Sequence, residues 1–470
     1  MPPRFHSLPA EIQRMILQEV FRDPLTAPYA AVCKDWQDFF ERKNFKSLAI
    51  DQHELTSFRQ IVTPRRQWFV KHIWYRIILP DHPSLHLTPG SKTTEDPSVL
   101  WRADKRFTEC IFRLWDIISL WNAENRITLE LSAFSYQDWD HVTVNERVFE
   151  RDLEAYKAHK KSESREPYHY DNPQGPYVEQ YGLWGLPNTI SRIQDYWEAL
   201  TYDLLGWKEI EFVTAAEDDD AVEYFKPEDA ILPSVPIVSK FLIRNTQFRQ
   251  FWPETLLHMF ESFDNIEDIT IERWACGTSE SESEWIEYAE KPFAEWLPVT
   301  VKKLSVNGEK CRVLHDWETC ELLNREALAK GLRQNSKRLE HMSVVDIIGA
   351  GHFLDIFRRY VTDEDLEKLI QWPYLKTLTL STDLFETRRR RKIEELLCCA
   401  ARAARKMPKL QTLEIRSRAD PQIMFRYNIV KSIAKITWSG PVVNSTEIMK
   451  EWKKTSEWRN NVDVEHDFRM

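Results

Sequence analysis

The residue types that most often carry chemistry are plentiful in this chain, but their spacing matches no familiar catalytic motif. The chain holds 13 histidines, 74 acidic residues and seven cysteines. No P-loop, HExxH or GxSxG motif occurs, and the histidines and carboxylates lack the spacing of metal ligands. The stretch GAGH at residues 349–352 lacks the third glycine of a dinucleotide-binding loop. We therefore expect no catalytic residue, no metal and no cofactor, and we expect that the chain is not an enzyme.

Charge and composition exclude several other classes of protein. The net charge of −10 argues against a general binder of nucleic acids or anionic membranes, because such proteins present a basic surface. No uncharged apolar run approaches the length of about 18 residues that a membrane span requires, and no secretory signal is visible. An odd number of cysteines without a CxxC pair indicates reduced thiols. We expect a cytoplasmic or nuclear protein that binds neither nucleic acid nor membrane.

The first 45 residues contain two short, strongly apolar segments with helical spacing. Leu8, Ile12 and Ile16 recur at intervals of four residues, and Val32 and Trp36 repeat this interval in the second segment. Helices of this size have too little interior to bury such side chains by themselves. They either pack on the rest of the chain, covering its first turn, or form half of an interface with a partner.

These segments resemble an F-box in the order and spacing of their residues. The matching positions are Leu8-Pro9, Glu11, Ile16-Leu17, Val32 and Trp36. The resemblance implies that residues 1–45 form an F-box that packs on a Skp-type adaptor, which links F-box proteins to a cullin–RING ubiquitin ligase. The adaptor-binding residues that it implies are Leu8, Pro9, Ile12, Ile16, Leu17, Val32, Cys33 and Trp36.

The rest of the chain, residues 46–470, repeats a six-residue pattern with apolar residues at its first, fourth and sixth positions. Examples are VKKLSV at 301, LKTLTL at 375 and LQTLEI at 410. Further copies start at residues 45, 70, 207, 238, 266, 339 and 433, and from 207 to 410 the intervals are 28 to 38 residues. Helix-patterned segments precede several copies. The pattern predicts an α/β fold in which a helix and then a strand alternate.

This alternation resembles the degenerate leucine-rich-repeat-like regions of fungal F-box proteins. The resemblance implies an irregular solenoid with parallel strands inside and helices outside, which would bind a target protein. A long insertion is expected at about 138–195, where the sequence is rich in Pro, Gly, Tyr and His. The competing fold is a doubly wound α/β domain, which would normally carry a glycine-rich first turn that is absent here.

Alternate residues of each strand should form an exposed polar row, because side chains alternate between the two faces of a strand. This row mixes both charges with hydroxyl groups, as suits recognition of a protein surface. The candidate target-binding residues are Arg244, Asp268, Glu272, His341, Ser343, Thr377, Thr379, Glu414 and Arg416.

These observations predict a substrate-recognition subunit of an SCF-type cullin ubiquitin ligase. The F-box would bind the adaptor, and the repeat region would bind a target protein that the sequence does not identify. Two alternatives stay open: a scaffold that binds the adaptor without a role in ubiquitination, and an α/β enzyme of an unfamiliar kind.

Overall fold

The fold was analysed in a computed structural model. It describes residues 5–21, 27–80, 97–134, 209–210, 231–244, 249–276, 279–309, 325–358, 370–387, 389–418, 420, 422–430, 433–441, 443, 445–458 and 463–469. The α-helices are α1 Ala10–Val20, α2 Lys34–Asn44, α3 Leu55–Ile61, α4 Pro64–Gln67, α5 Pro97–Ile118, α6 Pro253–Glu261, α7 Ser279–Tyr288, α8 Glu326–Asn335, α9 Ala350–Leu354, α10 Arg390–Arg405 and α11 Ser445–Trp458. The strands are β1 Ser47–Asp51, β2 His72–Ile78, β3 Ile127–Phe134, β4 Glu209–Ile210, β5 Val238–Ile243, β6 Gln250–Phe251, β7 Asp268–Trp274, β8 Lys303–Glu309, β9 His341–Gly349, β10 Thr377–Thr382, β11 Thr412–Ser417, β12 Met424–Val430, β13 Ile433–Ser439 and β14 Asp463–Arg469.

Twelve of these strands form one large, mostly parallel sheet. Their order is β1-β2-β3-β5-β7-β8-β9-β10-β11-β12-β13-β14, so strands that neighbour each other in the sheet follow each other along the chain. A doubly wound sheet instead reverses its strand order at a switch point. The α/β class with alternating helix and strand is therefore confirmed, and the strand order differs from that of the doubly wound alternative.

The six-residue pattern forms strands because its apolar residues fall on one face. In β2, Ile73, Tyr75 and Ile77 are fully buried while the residues between them are only half-buried. The same alternation recurs in β7, β8 and β10. Burial of one face specifies the register strongly, because a slip by one residue would turn every apolar side chain towards the opposite face.

The same backbone hydrogen bonds recur at the second position of the pattern from one strand to the next. The carbonyl oxygen of Lys302 accepts hydrogen bonds from the backbone N–H groups of Glu340 and His341, at 2.7 and 3.1 Å. The carbonyl of Glu340 likewise accepts from Lys376 and Thr377. This repeated contact begins each parallel pairing at the same position and so aligns successive strands.

The described helices that cover the sheet pack on one of its faces. Helices α3 and α5 to α11 contribute buried side chains to the same apolar cluster as the inward residues of the strands. The largest fully buried side chains in it include Trp115, Trp285, Trp372 and Trp452. These described tryptophans therefore fill space between the sheet and the helices.

Three features differ from the sequence-based expectation. Strand β12 runs antiparallel to both β11 and β13, because only a short turn separates it from β11 and a parallel pairing needs a longer crossover. The pattern at residue 207 forms β4, which pairs with β6 in a separate two-stranded sheet. None of the copies named in the sequence marks strands β3, β12 or β14. The expected insertion at about 138–195 lies outside the described residues.

Candidate functional site

The two N-terminal helices have a small aromatic core of their own. Phe40 is fully buried, and its ring lies 5.7 Å from that of Trp36, 5.6 Å from that of Tyr29 and 6.4 Å from that of Phe21. Leu17 is also buried, and neither Leu17 nor Phe40 belongs to the apolar cluster beneath the large sheet. Residues of α1, α2 and the turns before them therefore form a compact unit beside the sheet.

This unit leaves part of its apolar surface exposed. Ile12, Met15 and Val32 are 42%, 63% and 59% exposed. Of the other predicted adaptor-binding residues, Pro9 is exposed and Leu17 is buried inside the unit; the half-buried ones are Leu8, Ile16, Cys33 and Trp36. Leu17 thus contributes to the internal packing of the helices, whereas Ile12 and Val32 are accessible to a partner.

Ion pairs with α4 attach α2 to the rest of the chain. Glu41 accepts two hydrogen bonds from the guanidinium of Arg66, at 2.7 and 3.2 Å. Burial opposes ionisation of Glu41, but the hydrogen bonds from Arg66 and Gln37 outweigh it and lower the pKa of the carboxyl. Asp38 pairs similarly with Arg65 at 3.1 Å. These contacts connect α2 to α4.

The predicted target-binding residues lie together on the polar face of the sheet. Pairing places Thr377 beside His341 and Thr379 beside both Ser343 and Glu414. Asp268 pairs with Lys303, which in turn pairs with His341. Glu272 and Arg416 lie in a further row of the same face, and Arg244 directly follows β5. The register of the sheet thus assembles side chains that are up to 172 residues apart in the chain.

Charges on this polar face are layered, with carboxylates below and cations above. Glu414 is almost fully buried and accepts hydrogen bonds from Arg416 and Arg426, whose side chains are 45% and 44% exposed. Asp268 similarly lies beneath Lys240 and Lys303, at 3.4 and 3.2 Å. The polar face therefore presents cationic groups to solvent even though the whole chain carries a net charge of −10.

His341 lies near the middle of the polar face and is hydrogen-bonded within it. Its Nδ1 lies 2.9 Å from Oγ1 of Thr377. Burial lowers the pKa of His341, and the nearby charges of Lys303 and Lys376 lower it further. These effects favour the neutral form of the His341 ring, which is hydrogen-bonded to Thr377.

A chain of three hydrogen-bonded polar residues, which no sequence motif marks, lies at one end of the polar face. Ser47 Oγ lies 2.9 Å from Nδ1 of His72, and Nε2 of His72 lies 2.9 Å from a carboxylate oxygen of Glu130. Glu130 is buried and also accepts a 2.9 Å hydrogen bond from Arg244. The residues come from three strands, so no local motif reveals them.

A second polar network lies at the carboxyl end of β7. Arg273 and Glu282 form a bidentate pair with distances of 2.9 and 2.8 Å, and both side chains are buried. Arg273 also donates to the amide oxygen of Gln250 and stacks on Trp285, with its guanidinium carbon 3.8 Å from the ring centre. Every one of these contacts is internal, so the network holds α7 against the ends of β6 and β7.

Within the described part of the chain, no group of three or more His, Cys, Asp or Glu residues is placed to hold a metal ion. No helix there combines the length and apolar character of a membrane span. The described residues provide hydrogen bonding and ion pairing on an open surface, together with exposed apolar side chains on α1 and in the turn before α2.

The comparison with protein families matches the second part of the chain. Residues 296–469 are similar to DUF6546, a family of unknown function. This segment covers little more than a third of the chain and spans strands β8 to β14. No curated protein matches the chain. Neither comparison supports the F-box resemblance, which stays a prediction from the residues of the N-terminal helices.

Proposed function

We propose that this chain is a substrate-recognition subunit of an SCF-type cullin ubiquitin ligase. The N-terminal helices would bind a Skp-type adaptor, and the polar face of a leucine-rich-repeat-like sheet would bind the target. Transfer of ubiquitin would be catalysed by partner proteins, while this chain would raise the effective concentration of the target near them.

The observation that carries this proposal is the exposure of three apolar side chains on the small N-terminal unit. Ile12, Met15 and Val32 stay accessible although the unit has an aromatic core in which Phe40 is fully buried. Exposed apolar side chains that cluster on one small unit are typical of a protein-binding surface. Ile12 and Val32 also belong to the residues that the F-box resemblance assigns to adaptor binding.

The test is co-expression with a Skp-type adaptor followed by affinity capture. Wild type should capture the adaptor stoichiometrically. Ile12→Asp/Val32→Asp should not, because adaptor binding would bury each introduced carboxylate in the interface without a partner. Leu120→Asp is the matched control, since Leu120 is 76% exposed outside the N-terminal unit. If folded wild type captures no adaptor, or if the double variant captures it equally well, the proposal is wrong.

The layered charges of the polar face indicate the kind of target. Exposed Arg416, Arg426 and Lys303 suit a target segment that carries acidic side chains, and their attraction should weaken as salt is added. Reversal of charge in Arg416→Glu/Arg426→Glu should abolish target capture and leave adaptor capture unchanged. A protein whose abundance rises on deletion of the gene, and whose capture this variant abolishes, would separate a substrate receptor from a scaffold without a role in ubiquitination.

A second candidate function, that of an acyl-transfer enzyme, rests on the connected residues Ser47, His72 and Glu130. Their hydrogen bonds have the connectivity of a nucleophile, a base and a carboxylate that orients the base. Because Glu130 is also paired with Arg244, less of its charge is available to stabilise a protonated His72. Hydrolysis of p-nitrophenyl acetate by wild type that is lost in Ser47→Ala, with unchanged thermal stability, would favour this function over target recognition.

A further inference from the structure

Arg325 is a buried cation without a hydrogen-bonding partner. The residue is 4% exposed and directly precedes α8. None of its three guanidinium nitrogens has a hydrogen-bond partner among the residues that the structure describes. A guanidinium carries five N–H donors and is ionised at neutral pH. Burying such a group without acceptors is strongly unfavourable, so we expect Arg325 to bind an acceptor that is not part of the described chain.

The neighbouring carboxylates are already engaged with other arginines. Glu282, Asp346 and Asp383 all act electrostatically on Arg325. However, Glu282 is held by the bidentate pair with Arg273. Asp383 accepts a hydrogen bond of 3.2 Å from the guanidinium of Arg418. Asp346 forms an ion pair with Arg418 at 3.3 Å, and the Asp346 oxygen of that pair has no hydrogen bond. Arg325 thus lies among acidic groups that neutralise the local charge at a distance without bonding to its N–H groups.

The electrostatics of Arg325 show the effect of this arrangement. Burial lowers its pKa to about 9, and the charge of Arg418 contributes further in the same direction. Arg325 nevertheless stays protonated at pH 7. Its position also lies next to the N-terminus of α8, a ten-residue helix without a side-chain cap. The free N–H groups and the dipole at a helix N-terminus favour a bound anion.

Three charged neighbours of Arg325 lie at the carboxyl ends of three adjacent strands. Its charged neighbours Asp383 and Arg418 directly follow β10 and β11, and Asp346 lies near the carboxyl end of β9. All four residues fall within the segment that matches the family of unknown function.

We propose that Arg325 anchors a binding site for a single carboxylate group at the carboxyl ends of β9, β10 and β11. A carboxylate matches the planar guanidinium with two parallel hydrogen bonds. The positive charges of the three arginines balance the negative charges of the three carboxylates; these residues are Arg273, Arg325 and Arg418, and Glu282, Asp346 and Asp383. The site therefore tolerates a ligand with one negative charge better than a ligand with two. This balance favours a carboxylate over a phosphate dianion. The proposed site is independent of the proposed ubiquitin-ligase function.

The test measures anion binding to the full chain at constant pH and ionic strength. Acetate, inorganic phosphate and chloride are compared by thermal unfolding and by calorimetric titration. Acetate should raise the unfolding temperature of wild type saturably, because a ligand that binds only the folded state stabilises it. In Arg325→Met the apparent dissociation constant for acetate should be at least about tenfold weaker, since a charge-assisted pair is lost.

Arg325→Met should bind acetate more weakly, but without acetate it should not be less stable than wild type. In chloride alone, Arg325→Met should unfold at or above the temperature of wild type, because it removes a buried charge that lacks a partner. Lys330→Met, an exposed change on the same helix, should respond to acetate as wild type does. Should Arg325→Met fail to fold, Arg325→Lys keeps the charge but loses the bidentate geometry, and it should also bind acetate more weakly.

Two outcomes would overturn the proposal. One is an equal response of wild type and the Arg325 variants to acetate, and the other is a stronger response of wild type to phosphate than to acetate. The source of the carboxylate, a chain terminus or a small acid, is identified by measuring the binding of two peptides. One has a free C-terminus, and the other has the same sequence with an amidated C-terminus. Tighter binding of the free peptide than of acetate assigns the site to a chain terminus, and equal binding assigns it to a small acid.

Discussion

Replacement of Glu282 by glutamine should strongly destabilise the region around β7 and α7. Glu282 accepts three hydrogen bonds, two from Arg273 at 2.9 and 2.8 Å and one from the backbone N–H of Cys276 at 2.8 Å. A glutamine offers one carbonyl oxygen, and its NH₂ group would face another donor. Arg273 would keep Gln250 and Trp285 but lose its counter-charge inside the protein.

The magnitude follows from the burial of the pair. The side chains of Arg273 and Glu282 are 5% and 2% exposed, so water cannot replace the lost carboxylate. Breaking such a buried pair by removing one partner costs about 3–5 kcal/mol. The matched control is Glu267→Gln, because Glu267 pairs with Lys302 at 3.3 Å on the surface with about half of each side chain exposed. Its loss should cost less than about 1 kcal/mol.

The assay is native-state hydrogen exchange of the β7 amides, which reports the free energy of local opening. Acid should have a similar effect on wild type. Burial opposes ionisation of Glu282, but the charge and hydrogen bonds of Arg273 outweigh it and lower the pKa of the carboxyl. The stabilisation is therefore present above about pH 4.5, the ordinary value of a glutamate, and is lost as the pH falls through the lower folded-state value.

A change of less than about 1 kcal/mol in Glu282→Gln would refute the reasoning, since it would mean that water reaches Arg273. The double variant Arg273→Met/Glu282→Leu provides a further check. It removes both charges, and apolar side chains often replace a buried ion pair without loss of stability. It should therefore be clearly more stable than Glu282→Gln.

Three further predictions concern other parts of the fold. Phe40→Ala should destabilise the N-terminal unit by about 3–5 kcal/mol, seen as faster amide exchange in α1 and α2 with unchanged exchange in β7. Burial raises the pKa of Asp346 to about 6, so the free energy of unfolding of wild type should fall as the pH rises from about 4 to about 6. Asp346→Asn should remove this pH dependence of stability. Equal profiles of stability against pH for wild type and variant would contradict this. Alanine normally favours a helix, but in Gly331→Ala the added Cβ would overlap that of Ala294. The variant should therefore be destabilised by about 1–3 kcal/mol in urea unfolding.

The sequence was informative about the strands because their determinants are local. The six-residue pattern marked the start of the main strands to within about two residues, as in LKTLTL at 375 and β10 Thr377–Thr382. Alternation then placed His341, Thr377 and Thr379 on one polar face, where the structure has them. Helices α6, α8 and α10 were likewise evident from their apolar spacing.

The structure was needed wherever partners come from distant or irregular segments. The reversed strand β12 depends on a short turn that the pattern does not mark. The chain of Ser47, His72 and Glu130 joins three strands, and its third strand lacks the pattern because residue 124 is a glutamate. No spacing within the sequence could identify these contacts, since they arise from the lateral order of strands.

The sequence by itself determined the alternation of helix and strand, the polar face and the apolar N-terminal helices. Each of these follows from the period at which apolar side chains recur within a short segment. Only the tertiary structure decided which charges are compensated. Arg273 and Arg325 are both buried arginines near the same edge of the sheet, yet Glu282 bonds to Arg273, and no described residue bonds to Arg325. Pairing of buried charges depends on distances of a few ångström between separate elements, and these distances exist only in the folded chain.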